Sequence, residues 1–211
     1  MIIAVDGPAA SGKGTIARAL ARHFGLPHLD TGLLYRAAAL RLLRTGGNPA
    51  SEEQAVAACD MTGIDFADPE LKSEAAGGVA SRISAYPAVR AALVERQRRF
   101  AEQPGGAVLD GRDIGTVIAP NADAKLFVTA SPEVRARRRF DELERLGMPL
   151  PFADVLADIE ARDARDRNRP TAPLAQAEDA YLLDTSSLGV EGAIAEAIAA
   201  VTAATATAAG R

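Results

Sequence analysis

Apolar residues fall in two patterns along this 211-residue chain. The first is a short uninterrupted run closed by turn residues: 2–5 ahead of Asp6-Gly7-Pro8, 107–109 ahead of Asp110-Gly111, 125–128 ahead of Ser131-Pro132, and 181–183 ahead of Asp184. Runs without polar alternation read as strands covered on both faces. The second pattern has helical spacing. It covers 15–24, stopped by Gly25; 33–43, stopped by Gly46-Gly47; 87–101, stopped by Pro104-Gly105; and 153–168. A further helix over 132–146 opens with Pro132 in the first helical position behind Ser131 as N-cap. Residues 45–72 read as loop, with a short helix after Ser51 and a short strand near Ile64, and another short strand precedes Thr31. The Ala- and Thr-rich tail keeps Ile194, Ile198 and Val201 at helical spacing, which predicts a closing helix that frays. Strands alternating with helices specify an α/β fold, a parallel sheet with helices on both faces and ligands at the carboxyl ends of its strands. No internal repeat is visible, and the length suits one domain.

Composition narrows the possibilities. With 48% apolar and 25% charged residues the chain is an ordered globular protein, and with only 4% aromatics its core must be aliphatic. A net charge of −4 argues against whole-surface attraction to nucleic acid or anionic lipid, so a phosphate partner is a small molecule. Lys13, Lys72 and Lys125 are the only lysines among 24 basic side chains, and that arginine excess needs a reason. The single cysteine, Cys59, has no partner for a disulfide and no ligand pattern for zinc. His23 and His28 read as structural. Asp6 interrupts the first apolar run too soon for a signal peptide, and no stretch reaches the length of a membrane span; the expectation is a cytoplasmic protein.

Candidate chemistry begins at residues 7–15, where Gly7, Pro8, Ala9, Ala10, Ser11, Gly12, Lys13, Gly14 and Thr15 join the first strand to the first helix with P-loop spacing. The glycines let backbone N–H groups wrap around phosphate oxygens, the helix aims its positive end at the same point, and Lys13 reaches the transferring phosphate. Gly14 stands where many P-loops have a magnesium-ligating Ser or Thr. Mg²⁺ should therefore be held mostly by nucleotide phosphates and water.

Other segments allow two readings each. Thr31 and Gly32 open a helix and can take an anion with Arg36 one turn on, or form an ordinary cap with a surface arginine. Arg90 falls in the first turn behind Pro87, where the helix dipole disfavours a cation by about 0.3–1 kcal/mol, so it calls for a separate reason. Asp110 either orients metal-bound water or caps the Gly111 turn. Arg162, Asp166 and Arg169 share one helix face, yet Asp158 to Arg162 and Asp163 to Arg167 are equally well-spaced surface pairs, and spacing alone favours a solvated helix.

The form Gly12-Lys13-Gly14-Thr15, with Asp30-Thr31-Gly32, Tyr35-Arg36, Tyr86-Pro87-Ala88-Val89-Arg90, the stretch from Asp110 to Thr116, Arg162-Asp163 through Arg169, and Asp184-Thr185-Ser186, resembles bacterial cytidylate kinases over nearly the whole chain. Arg112-Asp113-Ile114-Gly115 favours that branch over adenylate kinases. The resemblance implies a three-layer P-loop kinase fold with a five-stranded parallel sheet: a core of about 1–40, 105–139 and 171–211, a monophosphate-binding excursion over about 41–104, and a lid over about 140–170. It implies transfer of the γ-phosphoryl group of ATP to CMP and dCMP by a monomer. Thr31 and Arg36 would touch the monophosphate, and Ser81, Arg90 and Asp113 would read cytosine. Arg162 and Asp166 would lie near the ribose, and Arg169 near the phosphates. Arg112 enters the cleft beside the P-loop, and Arg138, from the cluster 137–139, would meet ATP. Lys13, Arg36, Arg112 and Arg169 would then cover the moving charge. The chain departs from the family between Phe66 and Leu71, where an extended segment is missing. Competing readings are a P-loop kinase for UMP, AMP or a small metabolite, and a nucleotide switch that transfers nothing.

Overall fold

The computed structural model describes residues 1–209, with side chains through 206. Five parallel strands, β1 (Ile2–Asp6), β2 (His28–Asp30), β3 (Ala107–Gly111), β4 (Ala124–Thr129) and β5 (Tyr181–Asp184), lie in the order β2-β3-β1-β4-β5. The central strand β1 pairs Val5 with Asp110 on one side and Leu126 on the other. The chain moves from β1 to one side for β3 and to the other for β4, so the carboxyl ends of β1, β3 and β4 frame the crevice where such sheets bind ligands.

Eight α-helices are described: α1 (Lys13–Phe24), α2 (Thr31–Arg44), α3 (Glu52–Ala57), α4 (Glu74–Ile83), α5 (Pro87–Ala101), α6 (Pro132–Arg145), α7 (Phe152–Asn168) and α8 (Val190–Ala209). Strand alternation assigns the two faces of the sheet. Ile3 and Val5 pack toward α1 and α8 with Leu20, Leu126 and Val201, while Ala4 and Leu109 pack on the other face with Ala101, Ile114 and Ile118. Among the further apolar clusters, two are built mainly between helices. One joins α2, α3, α4 and α5 around Leu34, Ala55, Ile83 and Leu93; the other joins α6 and α7 through Ala136, Leu143, Val155 and Ile159, with Ala9 and Ala10 of the phosphate loop packed against it.

The expected Ser131 cap forms, its Oγ accepting from the Val134 N–H at 3.3 Å, and Ser51 Oγ caps the short α3 by accepting from the Gln54 N–H at 3.3 Å. Two helices start earlier than the pattern indicates. α1 begins at Lys13 because Gly12 is its N-cap, and α2 at Thr31 behind Asp30. Ile64 is not in a strand: Asp60, Asp65 and Asp68 side chains each accept a backbone N–H two residues on, and these local turns take the place of a sheet ladder. A 3₁₀ turn, Pro69–Lys72, then leads into α4. Fraying of the tail beyond Ala209 lies outside the described residues. None of the described helices is long and apolar enough to cross a membrane.

Candidate active site

The loop after β1 has a shape that few residues permit. A side chain at position 7 would meet the Val128 carbonyl oxygen at 2.0 Å, so only glycine fits there, and Gly12 turns at φ 90° to start α1. Gly12 has no side chain with which to cap the helix, so the first N–H groups of α1 are left to a guest at its positive end. The Ser11 hydroxyl is fully buried inside this loop without a hydrogen-bond partner. Lys13 Nζ donates to the Pro8 carbonyl at 3.3 Å. Burial, and then the Arg112 guanidinium, push the Lys13 pKa down to about 8, while Asp110, Asp30 and Asp166 pull it up. One ammonium thus sits among groups from β2, β3, the turn after β3, and α7.

The ends of β2 and β3 are locked together. Thr31 donates its hydroxyl to the Asp110 carbonyl at 2.8 Å, and His28 Nε2 lies 2.7 Å from Asp110 Oδ1. The cap reading of Asp110 fails: its Oδ1 is engaged by His28, not by the Gly111 turn, and its Oδ2 would stand 3.7 Å from a Cβ at position 14. Behind it, the Asp6 carboxylate accepts from the N–H groups of Ile114 and Gly115 at 2.8 and 2.7 Å, which fixes the π-helical turn Ile114–Ile118 and so aims Arg112 and Asp113. Burial raises the Asp6 pKa to about 6 against those two hydrogen bonds.

A second cavity opens between α2, α4, the end of β3 and α7. Thr31, Arg36, Ser81 and Arg90 line it from one side, and Arg112, Asp113, Arg162, Asp166 and Arg169 from the other. All eight residues assigned to the monophosphate from sequence therefore come together. Arg90 is only 3% exposed, and its reason for standing in the first turn of α5 is an ion pair with Asp113 and a place 5.8 Å from the Tyr35 ring centre. Arg169 Nη2 donates to the other Asp113 oxygen at 3.2 Å, so Asp113 lies between two guanidinium groups. The resemblance puts Arg169 near the phosphates; the fold puts it beside Arg90 and Asp113. Arg112 Nε donates to Asp166 Oδ2 at 2.7 Å, and this guanidinium holds Asp166 below the usual carboxylate range although burial opposes it. Arg36 donates to the Leu71 and Ser73 carbonyls at 2.8 and 3.0 Å and rests on Gly77, where a Cβ would come within 2.8 Å of Nη2. Burial, then Arg162 and Arg139, lower the Arg36 pKa to about 10. Guanidinium groups crowded in this way make an anion site.

The solvated-helix reading of α7 fails at Arg162, which lines the cavity with its side chain 15% exposed, although its Nε lies 2.8 Å from the half-exposed Asp158. On the inner face, Asp163 and Asp166 are buried. Arg135, 1% exposed and not singled out by any sequence pattern, ties that face to the P-loop: it donates to the Ala9 and Ala130 carbonyls at 3.2 and 2.9 Å and grips Asp163 bidentately at 2.9 and 2.6 Å. Of the cluster 137–139, Arg138 faces the P-loop, donating to the Ser11 carbonyl at 3.3 Å and to the Thr185 hydroxyl at 2.9 Å. Arg137 lies over Phe140 and Phe152, and Arg139 pairs with Glu74 and Glu142. His23 packs edge-on against Phe24 and takes no part in the site.

Comparison with known proteins points to one family. The family model described as "Cytidylate kinase" matches residues 3–203. Curated proteins named cytidylate kinase are similar over almost their full length. One from Rhodopseudomonas palustris strain HaA2 is 57% identical over 204 residues, covering 95% of each chain. One from Methylocella silvestris is 57% identical over 202 residues, covering 95% of this chain and 94% of its own. Among solved structures, a gluconokinase from Sinorhizobium meliloti superposes with a TM-score of 0.55 at 16% identity, covering 98% of this chain and 94% of that one, which speaks to the fold alone. An uncharacterized protein from Eubacterium ventriosum gives 0.56 at 14%, covering 96% and 98%. A P-loop at the centre of a five-stranded parallel sheet, a second cavity built around Arg90 and Asp113, and this likeness over nearly the whole length place the chain in the cytidylate kinase family.

Proposed function

We propose that Lys13, Arg36 and Arg112 carry the reaction of this cytidylate kinase, transfer of the γ-phosphoryl group of ATP to CMP, with dCMP as a second acceptor, while Arg169 serves on the base side beside Asp113. The observation that carries the assignment is that Lys13 and Arg112 act on one another where the P-loop meets the second cavity, so one cationic field spans both. ATP lies on residues 7–15 with Arg138 beside it. CMP lies under α7, its phosphate toward Thr31, Arg36 and Arg112, its ribose toward Arg162 and Asp166, and its base toward Ser81, Arg90 and Asp113. Thr31 contributes the start of α2, because its hydroxyl proton is already given to Asp110.

An ionised phosphate oxygen of CMP attacks the γ-phosphorus in line, and the bond to the bridging oxygen of ADP breaks. No proton must leave the nucleophile, so no general base is required. The protein supplies alignment and cationic cover for charge on the moving group. The residues suit Mg²⁺ arriving with ATP: Asp110 Oδ2, 3.7 Å from where a Cβ at position 14 would stand, would orient metal-bound water, while Thr15 Oγ1 accepts from Arg18 at 3.3 Å and would leave direct ligation to phosphates and water. When bound, it neutralises charge on the β and γ oxygens. His28 keeps Asp110 turned toward that place. The excursion over about 41–104 and the lid over about 140–170 close on the nucleotides and exclude water that would hydrolyse ATP. The enzyme works as a cytoplasmic monomer on small nucleotides, without nucleic acid or membrane partners; its net charge of −4 supports that reading.

Lys13 gives this assignment a pH signature. A polyphosphate binds the protonated lysine, so ATP affinity should be full below pH 8 and fall as the pH rises through about 8, where free Lys13 loses its proton. The loss approaches about tenfold per pH unit until the pKa of the complex is reached. Titration of ATP between pH 6.5 and 9.5 measures this, with Lys13→Ala as the reference. A wild-type profile flat through pH 8 contradicts the contact.

A further inference from the structure

Glu74 opens α4 beside the Ser73 cap, and its carboxylate joins two arginines from different places. Arg139, on α6, lines the cavity that also contains Gly12, Thr15 and Arg138 on the P-loop side. Arg162, on α7, lines the cavity assigned to CMP. Glu74 forms an ion pair with Arg139 through one oxygen and lies 3.3 Å from Arg162 Nη2 through the other. Both guanidinium groups help to depress the Arg36 pKa; Glu142 pairs with Arg139 and Asp158 with Arg162, but among the described residues Glu74 is the carboxylate that joins the two. α4 thus presents Glu74 to Arg139 and Arg162, Gly77 as the bed for Arg36, and Ser81, which accepts from Arg165 Nε on α7 at 3.2 Å.

We infer that Glu74 is a positioning residue that couples the two nucleotide sites, by holding one arginine of each in a single closed arrangement. This rests on the site assignment above. A triphosphate that draws Arg139 into place fixes Glu74, and Glu74 then holds Arg162 where the CMP ribose meets it. The second nucleotide therefore binds to a lid already ordered by the first. The coupling is reciprocal by linkage.

The test is calorimetric. The dissociation constant of CMP is measured alone and in the presence of saturating non-hydrolysable ATP analogue with Mg²⁺, for the wild type and for Glu74→Gln. Glutamine keeps the size and the Ser73 cap but loses the charge and the second acceptor. In the wild type the analogue should tighten CMP binding by about fivefold or more, within the usual range of couplings between sites. In Glu74→Gln that ratio should fall to about one while CMP alone binds within about threefold of wild type. A variant that keeps the wild-type ratio overturns the inference, as does a wild type whose ratio is already one. A wild type that binds neither nucleotide alone instead overturns the site assignment. A variant that loses binary CMP binding in step with melting temperature assigns Glu74 a merely structural role and overturns the coupling.

Discussion

Lys13→Ala lowers kcat by about 10³-fold, the scale seen when one preorganised charge aimed at the reacting group is removed. The melting temperature should nevertheless stay within a few degrees of wild type. The reason lies in the surroundings of Lys13. Burial and Arg112 push its pKa down to about 8 in spite of three neighbouring carboxylates, so the fold gains nothing from its charge at neutral pH. Its one direct contact, with the Pro8 carbonyl, belongs to a loop already shaped by Gly7 and Gly12. Turnover by coupled ADP release together with thermal unfolding separates the two effects. Near-normal kcat removes Lys13 from phosphoryl transfer. A large loss of stability shows instead that the lysine supports the P-loop.

The second large effect concerns choice of base. Asp113 offers a carboxylate that can accept from the exocyclic amino group of cytosine, whereas uracil presents an acceptor at the same place. Arg90 and Arg169 already occupy an oxygen each, but a carboxylate has about four acceptor positions, so the amino group can join them. The alanine variant that the sequence suggests would leave two buried guanidinium groups unpaired, at a cost of about 3–5 kcal/mol. Asp113→Asn is the better probe because its amide keeps the shape and can turn either an acceptor to cytosine or a donor to uracil. The ratio of kcat/KM for CMP over UMP should fall by about 100-fold, the value of one hydrogen bond to a charged group lost with its discrimination. An unchanged ratio would take Asp113 out of base recognition.

Most of the fold could be read because its signals are local. Apolar runs ending in Asp-Gly or Ser-Pro mark buried parallel strands, and the glycine spacing of the P-loop is set by backbone clearance, such as the 2.0 Å approach of Val128 to position 7. The residues proposed for the monophosphate, which line one cavity, are legible only through the family resemblance, since spacing alone favours a solvated α7. What the sequence concealed depends on contacts between distant segments. Glu74 meets Arg139 and Arg162, Arg135 meets Asp163, and His28 meets Asp110 across 82 residues. Asp6, read as a turn residue, is the acceptor that orients Ile114 and Gly115. The strand expected near Ile64 failed because three aspartates offered the backbone local partners. The arginine excess now has a physical reason. Arg36, Arg90, Arg112, Arg138, Arg162 and Arg169 line one or other cavity, where a planar, permanently charged fork suits phosphate, ribose and base, whereas Arg18 and Arg22 line neither.

The most direct test of the account is steady-state ADP release from Mg²⁺-ATP with CMP, dCMP, UMP, AMP or no acceptor. The geometry around Arg90 and Asp113 predicts that CMP and dCMP exceed UMP and AMP by about 100-fold or more in kcat/KM. Preference for UMP or AMP, or ADP release that does not rise above the acceptor-free rate, would contradict it.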